Sequence, residues 1–167
     1  MKYSLIQESP ADAPAIEALM ELAFGPGRHS RNVVRFRDRR APLAEFGFVG
    51  KHARDLVASI RFWPVMLPNG VVVPLLGPLA VRPELRGLGI GRALVRKGMD
   101  AVRLSGAPAI LIIGDPGYYA PFGFRVEPVQ NLDMGGPVAP LALMGIEYVP
   151  GSLSDLSGTV VPVPRPE

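Results

Sequence analysis

Between Arg86 and Arg92 the chain reads Arg-Gly-Leu-Gly-Ile-Gly-Arg, with three glycines at alternate positions between two guanidinium groups. Glycine lets the backbone approach a ligand closely, and the first amides of a helix point outward with no intrahelical partner. A helix beginning near Gly89 would aim those amides, and the positive end of its dipole, at a phosphate or pyrophosphate. Arg86 and Arg92 add charge beside it. The plainer alternative is a glycine-rich turn that caps a helix and holds nothing.

Two nucleotide chemistries fail on these residues. A phosphate-binding loop that hydrolyses nucleotides needs Gly-x-x-x-x-Gly-Lys-Ser/Thr, and no Lys-Ser or Lys-Thr pair follows. A dinucleotide fingerprint needs Gly-x-Gly-x-x-Gly directly after a strand. Gly87 and Gly89 fit it, and Asp115 mimics the ribose-binding acid. Arg92, however, stands at the third glycine, and the spacer Arg82–Arg86 is too long for the tight turn.

Arg86-x-x-Gly89-x-Gly91 instead resembles the Gln/Arg-x-x-Gly-x-Gly/Ala pyrophosphate loop of the GNAT superfamily of N-acetyltransferases. The preceding Leu79-Ala80-Val81-Arg82-Pro83 resembles that family's pantetheine-pairing strand, and Tyr119-Ala120-Pro121-Phe122-Gly123-Phe124 its Tyr-x-x-x-Gly-Phe element. Gly114-Asp115-Pro116-x-Tyr118-Tyr119 is similar to a bacterial branch labelled YhbS-like. The resemblance implies an enzyme that uses acetyl-CoA as cosubstrate, needs no metal, and acetylates a primary amine on a small molecule or protein. It implies cofactor contacts at Leu79, Ala80, Val81, Arg86, Gly87, Leu88, Gly89, Ile90, Gly91 and Arg92. It also implies a fold: α/β, with a mixed, largely antiparallel central sheet, helices on both faces, and two central strands splayed around the pantetheine.

By the same resemblance Tyr119 is the general acid. The chemistry suits it, since CoA leaves as a thiolate whose pKa is about 8.5 by analogy with cysteine, and a phenol can protonate that at neutral pH. Packing in a core is the other reading of Tyr119, and Tyr118 is its neighbour in contention. The general base has no motif. The strand Pro74-Leu75-Leu76-Gly77-Pro78-Leu79 carries no acid or histidine, which leaves His29, Glu45, His52, Asp115 or water. Asp115, before Pro116, reads as a turn residue. An acyl-CoA-binding module that never turns over is the alternative from a different functional class.

These residues need elements to position them. Lys2–Gln7 reads as a strand. Ser9-Pro10-Ala11-Asp12 reads as a capped helix start, followed by Ile16, Leu19, Met20 and Ala23 at helical spacing and ended by Gly25-Pro26-Gly27. A second, arginine-rich helix is expected over Ser30–Arg39. Strands follow at Glu45–Lys51, Leu56–Leu67 and, after the Pro68-Asn69-Gly70 turn, Val71–Val81. Pro74 and Pro78 cannot donate to a ladder, so that last strand should bulge or splay. Gly89–Leu104 is amphipathic, with Ile90, Leu94, Val95, Met99 and Val102 inward. Ala109–Ile113 is a wholly apolar central strand. A short helix over Gly117–Phe122 precedes a strand near Phe124.

The chain's 167 residues, 48% hydrophobic, suit one domain over 1–167. The absence of cysteine excludes disulfides, thiolate metal sites and a thiol nucleophile, and two histidines make catalytic zinc improbable. No apolar run reaches membrane-spanning length and no signal peptide is evident, so a cytoplasmic protein without membrane contact is expected. A net charge of +3 gives no ground for nucleic-acid binding. A homodimer remains among the expectations. Arg28, Arg31, Arg35 and Arg39 would share one helical face, either solvated or drawing an anionic acceptor. Trp63 reads as hairpin packing.

Overall fold

The computed structural model describes residues 2–25 and 32–165. In chain order its elements are β1 (Ser4–Gln7), α1 (Ala13–Phe24), β2 (Phe48–His52), β3 (Asp55–Met66), β4 (Val72–Val81), α2 (Ile90–Leu104), β5 (Ala109–Ile113), α3 (Pro116–Tyr119), β6 (Leu132–Asp133), β7 (Leu143–Glu147), β8 (Gly158–Thr159) and β9 (Val161–Pro162). The main sheet runs β1-β2-β3-β4-β5-β7, with β9 added beside β3. Every pair in it is antiparallel except β4 with β5, which are joined through α2 as a crossover requires.

Side-chain parity assigns the faces. Ala58, Ile60 and Phe62 of β3 and Ile110 and Ile112 of β5 share a core with Ile90, Leu94, Val95 and Val102 of α2. The alternate residues Val65, Val73, Leu75, Ala109 and Leu111 point the other way, into a core closed by Val129, Met134, Leu153 and Val160 from the C-terminal part of the chain. On that second face α1 buries Ile16, Leu19 and Met20 against Val49, Leu56 and Ala80. Helices therefore cover both faces, as expected.

Of the two prolines in β4, Pro78 lies in a bulge as anticipated, whereas Pro74 pairs in regular register with Pro64. Ile60 pairs with Leu79 and Phe62 with Leu76, so the single residue Arg61 stands opposite two, Gly77 and Pro78. This bulge reverses parity along β4. Leu76 faces α2 before it, Leu79 and Val81 face α2 after it, and Ala80 turns toward α1. The parallel pairing of β4 with β5 covers only Leu75 with Leu111 and Leu76 with Ile112. Beyond it the strands part, leaving the β5-facing edge of Gly77–Val81 without a strand partner.

The start of α1 is fixed by its own residues. The Ser9 amide and hydroxyl donate to Asp12 Oδ2 at 2.9 and 3.3 Å, and Lys51 Nζ lies 3.0 Å from Asp12 Oδ1. The Ser9 amide, more than Lys51, holds the Asp12 carboxyl below its ordinary pKa. A single 3-10 turn, Pro10–Asp12, leads into the helix.

Three expectations need correction. The arginine-rich helix over Ser30–Arg39 is, in its described part, a 3-10 helix over Asn32–Phe36 followed by a turn. Phe36 is fully buried against the C-terminal core, and Arg40 gathers the carbonyls of Arg35 and Asp38, which curls the chain. The strand expected from Glu45 begins only at Phe48, because Phe46 turns inward, edge-on to Phe62 at 6.0 Å, within a short 3-10 helix over Ala44–Phe46. Near Phe124 there is no strand but one bridge, Arg125 with Gly145; the sheet is completed instead by β7. No helix among the described residues is long and apolar enough to cross a membrane.

Candidate active site

The glycine loop folds as its composition demands. Gly87 and Gly89 have φ of +84° and +88°, left-handed values that cost other residues strain. Gly89 caps α2, whose first backbone bond is from the Ala93 amide to the Gly89 carbonyl at 3.0 Å. The amides of Ile90, Gly91 and Arg92 precede that bond and are the helix's orphan donors. A β-carbon on Gly91 would stand 2.9 Å from Tyr118 Oη and 3.4 Å from Val81 Cγ2. That third glycine is thus needed for packing as well as for any ligand.

These residues line a cavity of about 670 Å³. Its walls include all ten residues expected to touch a cofactor: Leu79, Ala80, Val81, Arg86, Gly87, Leu88, Gly89, Ile90, Gly91 and Arg92. Ala23 and Phe24, at the end of α1, with Leu85 and Tyr118, complete it. Arg86 is exposed and reaches the Ala23 carbonyl only at 3.5 Å.

At Phe24 and Leu79 this cavity adjoins a second one of about 220 Å³, set in the gap where β4 leaves β5. Leu75, Leu76, Pro78, Ile112 and Ile113 give it an apolar side, and its ionisable side chains among the described residues are Tyr119 and Arg37. Tyr119 is held by rings on three sides: Tyr118 at 4.8 Å, Phe124 at 6.0 Å and Phe122 at 6.3 Å. Gly114 makes room for it, since a β-carbon there would lie 2.7 Å from Tyr119 Cε2. Burial, more than its neighbours Tyr118 and Asp115, pushes the Tyr119 phenol well above its ordinary pKa. Burial also raises the Tyr118 phenol, partly offset by Arg92. The two tyrosines therefore divide: Tyr118 faces the glycine loop and Tyr119 the gap between the strands.

A third cavity, of about 310 Å³, adjoins the second at Arg37, Trp63 and Pro78. Glu17 and Met20 of α1, Val34, Asp38 and Arg61 close its sides. Arg61 is committed to Glu8 by two bonds of 3.0 and 2.9 Å. Trp63 is 9% exposed and its indole N–H is buried without a hydrogen-bond partner. The tryptophan is thus more than hairpin packing, since its ring lines both inner cavities.

The candidate bases do not gather here. Asp115 caps α3, accepting from the Gly117 amide at 3.0 Å, as its place before Pro116 suggests. Exposed His52 meets the Lys2 carbonyl at 2.6 Å, Glu45 is exposed on its 3-10 helix, and neither lines any of the three cavities. His29, Arg28 and Arg31 lie outside the described residues. Arg35 and Arg39 do not line the cavities either: the Arg35 guanidinium stacks on Phe36 at 4.6 Å and packs at Gly135, while Arg39 is exposed. Among the described arginines of this segment, Arg37 does line the second and third cavities, and an α-helical reading places it on another face. No cluster of three metal-ligating side chains occurs among the described residues.

Residues 13–124, which contain the glycine loop, both cavity-lining tyrosines and the strand gap, match the acetyltransferase (GNAT) family. The chain belongs to the GNAT family. It is 30% identical over 161 residues to the uncharacterized N-acetyltransferase YhbS of Escherichia coli K12, covering 92% of each protein. The crystal structure of E. coli YhbS, a GNAT protein in complex with CoA, superposes with a TM-score of 0.80 at 27% identity, over 96% of this chain and 89% of that one. A GNAT acetyltransferase of Brucella melitensis in complex with acetyl-CoA gives 0.73 at 27% identity, over 96% and 95%.

Proposed function

We propose that this GNAT protein binds acetyl-CoA in the 670 Å³ cavity and transfers the acetyl group to a primary amine whose carrier bears a carboxylate or phosphate. The observation that carries the reading is the adjoining of the three cavities at Leu79 and then at Arg37 and Trp63. A cofactor laid along the glycine loop would bring its thioester to the strand gap, where Tyr119 waits on one side and Arg37 on the other.

The pyrophosphate would meet the amides of Ile90, Gly91 and Arg92, and the pantetheine the free edge of β4. Amides on that edge, at Leu79–Val81, polarise the thioester carbonyl. The neutral amine attacks the carbonyl carbon, its N–C bond forms as the C–S bond breaks, and Tyr119 gives its proton to the departing sulfur. The proton shed by the nitrogen restores the phenol through water. A side-chain base is not required. The apolar side of the cavity disfavours an ammonium, and so does the charge of Arg37, so the amine loses its proton on entry. Arg37 would engage the acceptor's anionic group with its planar donor fork. The acceptor is a small molecule or an acidic protein terminus, and the reaction belongs to the cytoplasm, where acetyl-CoA is at hand. The whole chain, 1–167, works as one domain.

One observation favours a second reading, a binding module without turnover: among the described residues no carboxylate or imidazole lines the strand gap. Thiol release from acetyl-CoA decides between them, measured with amino acids and short acidic peptides, each beside its amidated counterpart. The acetyltransferase releases CoA with the acids and poorly with the amides. Tight acetyl-CoA binding by calorimetry with no release from any amine establishes the module instead.

A further inference from the structure

The family match ends at Phe124, yet the chain beyond it returns to β3, the strand that carries Trp63. β9 lies along β3, pairing Pro162 with Val65 and Val161 with Met66, next to Trp63 on the same strand. One residue later the Val163 carbonyl accepts from Arg40 Nε at 2.7 Å. The same guanidinium donates through Nη1 to the carbonyls of Arg35 at 3.1 Å and Asp38 at 2.8 Å. Arg40 thus joins three backbone carbonyls, two flanking Arg37 and one just past β9. Beneath it Phe36 is fully buried with Val65, Met134, Leu153 and Val160. Arg165 adds an exposed ion pair with Asp38 at 2.6 Å, a kind of contact that contributes little.

We infer that Arg40 is a positioning residue for acceptor specificity: it fastens the Arg35–Asp38 turn to the chain just past β9 and thereby fixes Arg37 and the wall facing Trp63. The inference rests on the reading of these cavities as the acceptor's path. The turn closes on itself, the Arg37 and Asp38 amides donating to the Val34 carbonyl at 2.9 and 3.1 Å and the Arg40 amide to the Arg37 carbonyl at 2.9 Å, but these bonds are local and do not tie it to the strands around it. A turn closed only on itself is placed in the fold by what reaches across to it, and charged donors to backbone carbonyls make the stronger ties. Three carbonyls lying in different directions suit a planar fork of five donors, which a lysine ammonium does not reproduce. Loss of Arg40 would leave those carbonyls to water and release the turn, and Arg37 would move with it.

Trp63 is the sole tryptophan, so its emission reports on this wall with no acceptor present. Acrylamide quenching of Trp63 is measured in wild type, Arg40→Met, Arg40→Lys and Arg165→Ala, beside calorimetric acetyl-CoA affinity and melting temperature. The expected result is a severalfold larger quenching constant in Arg40→Met, a smaller rise in Arg40→Lys and little change in Arg165→Ala, with acetyl-CoA affinity unaltered in all. With an amine that turns over in the panel above, the acceptor KM of Arg40→Met rises about tenfold, the weight of one displaced charged hydrogen bond, while the acetyl-CoA KM stays. Quenching equal to wild type in a folded Arg40→Met overturns the inference, as does an equal loss of acetyl-CoA affinity. Should Arg40→Met not fold, Arg40→Lys is read by the same two criteria. If quenching rises but wild type acetylates no amine, the fastening stands and the acceptor reading falls.

Discussion

The glycine-loop cavity and the third cavity differ in how far the chain must travel to build them. Eleven of the glycine-loop cavity's fourteen lining residues fall in Leu79–Val81 and Leu85–Arg92, a strand end, a loop and a helix start that are local by construction. The third cavity draws on Glu17 and Met20, Val34, Arg37 and Asp38, Arg61 and Trp63, and Pro78, four separate stretches. The first wall needs glycine torsions and a helix terminus; the second needs the whole tertiary structure. A site of the first kind is written in consecutive residues, whereas a site of the second kind is decided by whatever fastens its pieces.

The comparison is sharpened most by the residue between the two cavities. Tyr119→Phe keeps the ring stack with Tyr118, Phe122 and Phe124, and should lower turnover by about a hundred- to ten-thousand-fold, as loss of a general acid does, with acetyl-CoA affinity nearly intact. Because burial raises this phenol, its proton stays on past the usual tyrosine value of about 10, so kcat should show no alkaline decline from Tyr119 below that pH. The linked stability has the same sign: it is fully present below the unfolded pKa and is lost as pH climbs through the raised folded one. Loss of turnover in Tyr118→Phe instead would move the acid to the other cavity.

Next comes the glycine loop. Gly89→Val places a branched residue at φ +88° and should weaken acetyl-CoA about tenfold or more, given a strain of about 1–3 kcal/mol and an obstructed phosphate. Arg86→Ala, removing a solvent-exposed charge, should cost less than about threefold. Calorimetry that finds wild-type affinity in Gly89→Val would break the pyrophosphate assignment.

The third cavity gives the last effect, no larger than that expected at Gly89. Arg37→Met should raise the KM for an anionic amine about tenfold and leave that for acetyl-CoA unchanged. A rise for acetyl-CoA alone would make Arg37 part of the cofactor wall and erase the distinction.

What could be read from the sequence follows the same division. The amphipathic helix, the apolar strand Ala109–Ile113, the bulge at Pro78 and the gathering of the ten loop and strand positions around one cavity were legible, because each depends on periodicity, a missing amide or a glycine torsion. Arg37 was not, since helical spacing groups Arg35 with Arg39 and the real turn separates them. Phe24 was hidden as the end of a helix, and Trp63 as one aromatic in a strand buried on both faces. The position of β7 was missed because Phe124 is aromatic and buried, whereas the pairing falls to Leu143–Glu147 after an irregular, proline-bearing stretch.

The bulge opposite Arg61 has a consequence for how this protein can change by inheritance. Substitutions along β4 alter its two faces one side chain at a time. Deletion of the single codon for Gly77 or Pro78 would leave one residue opposite Arg61 and restore simple alternation, with Leu79 and Val81 still toward α2 and Ala80 toward α1. Every residue downstream would keep both its identity and its face. At that point the gene can lose a codon without inverting the strand.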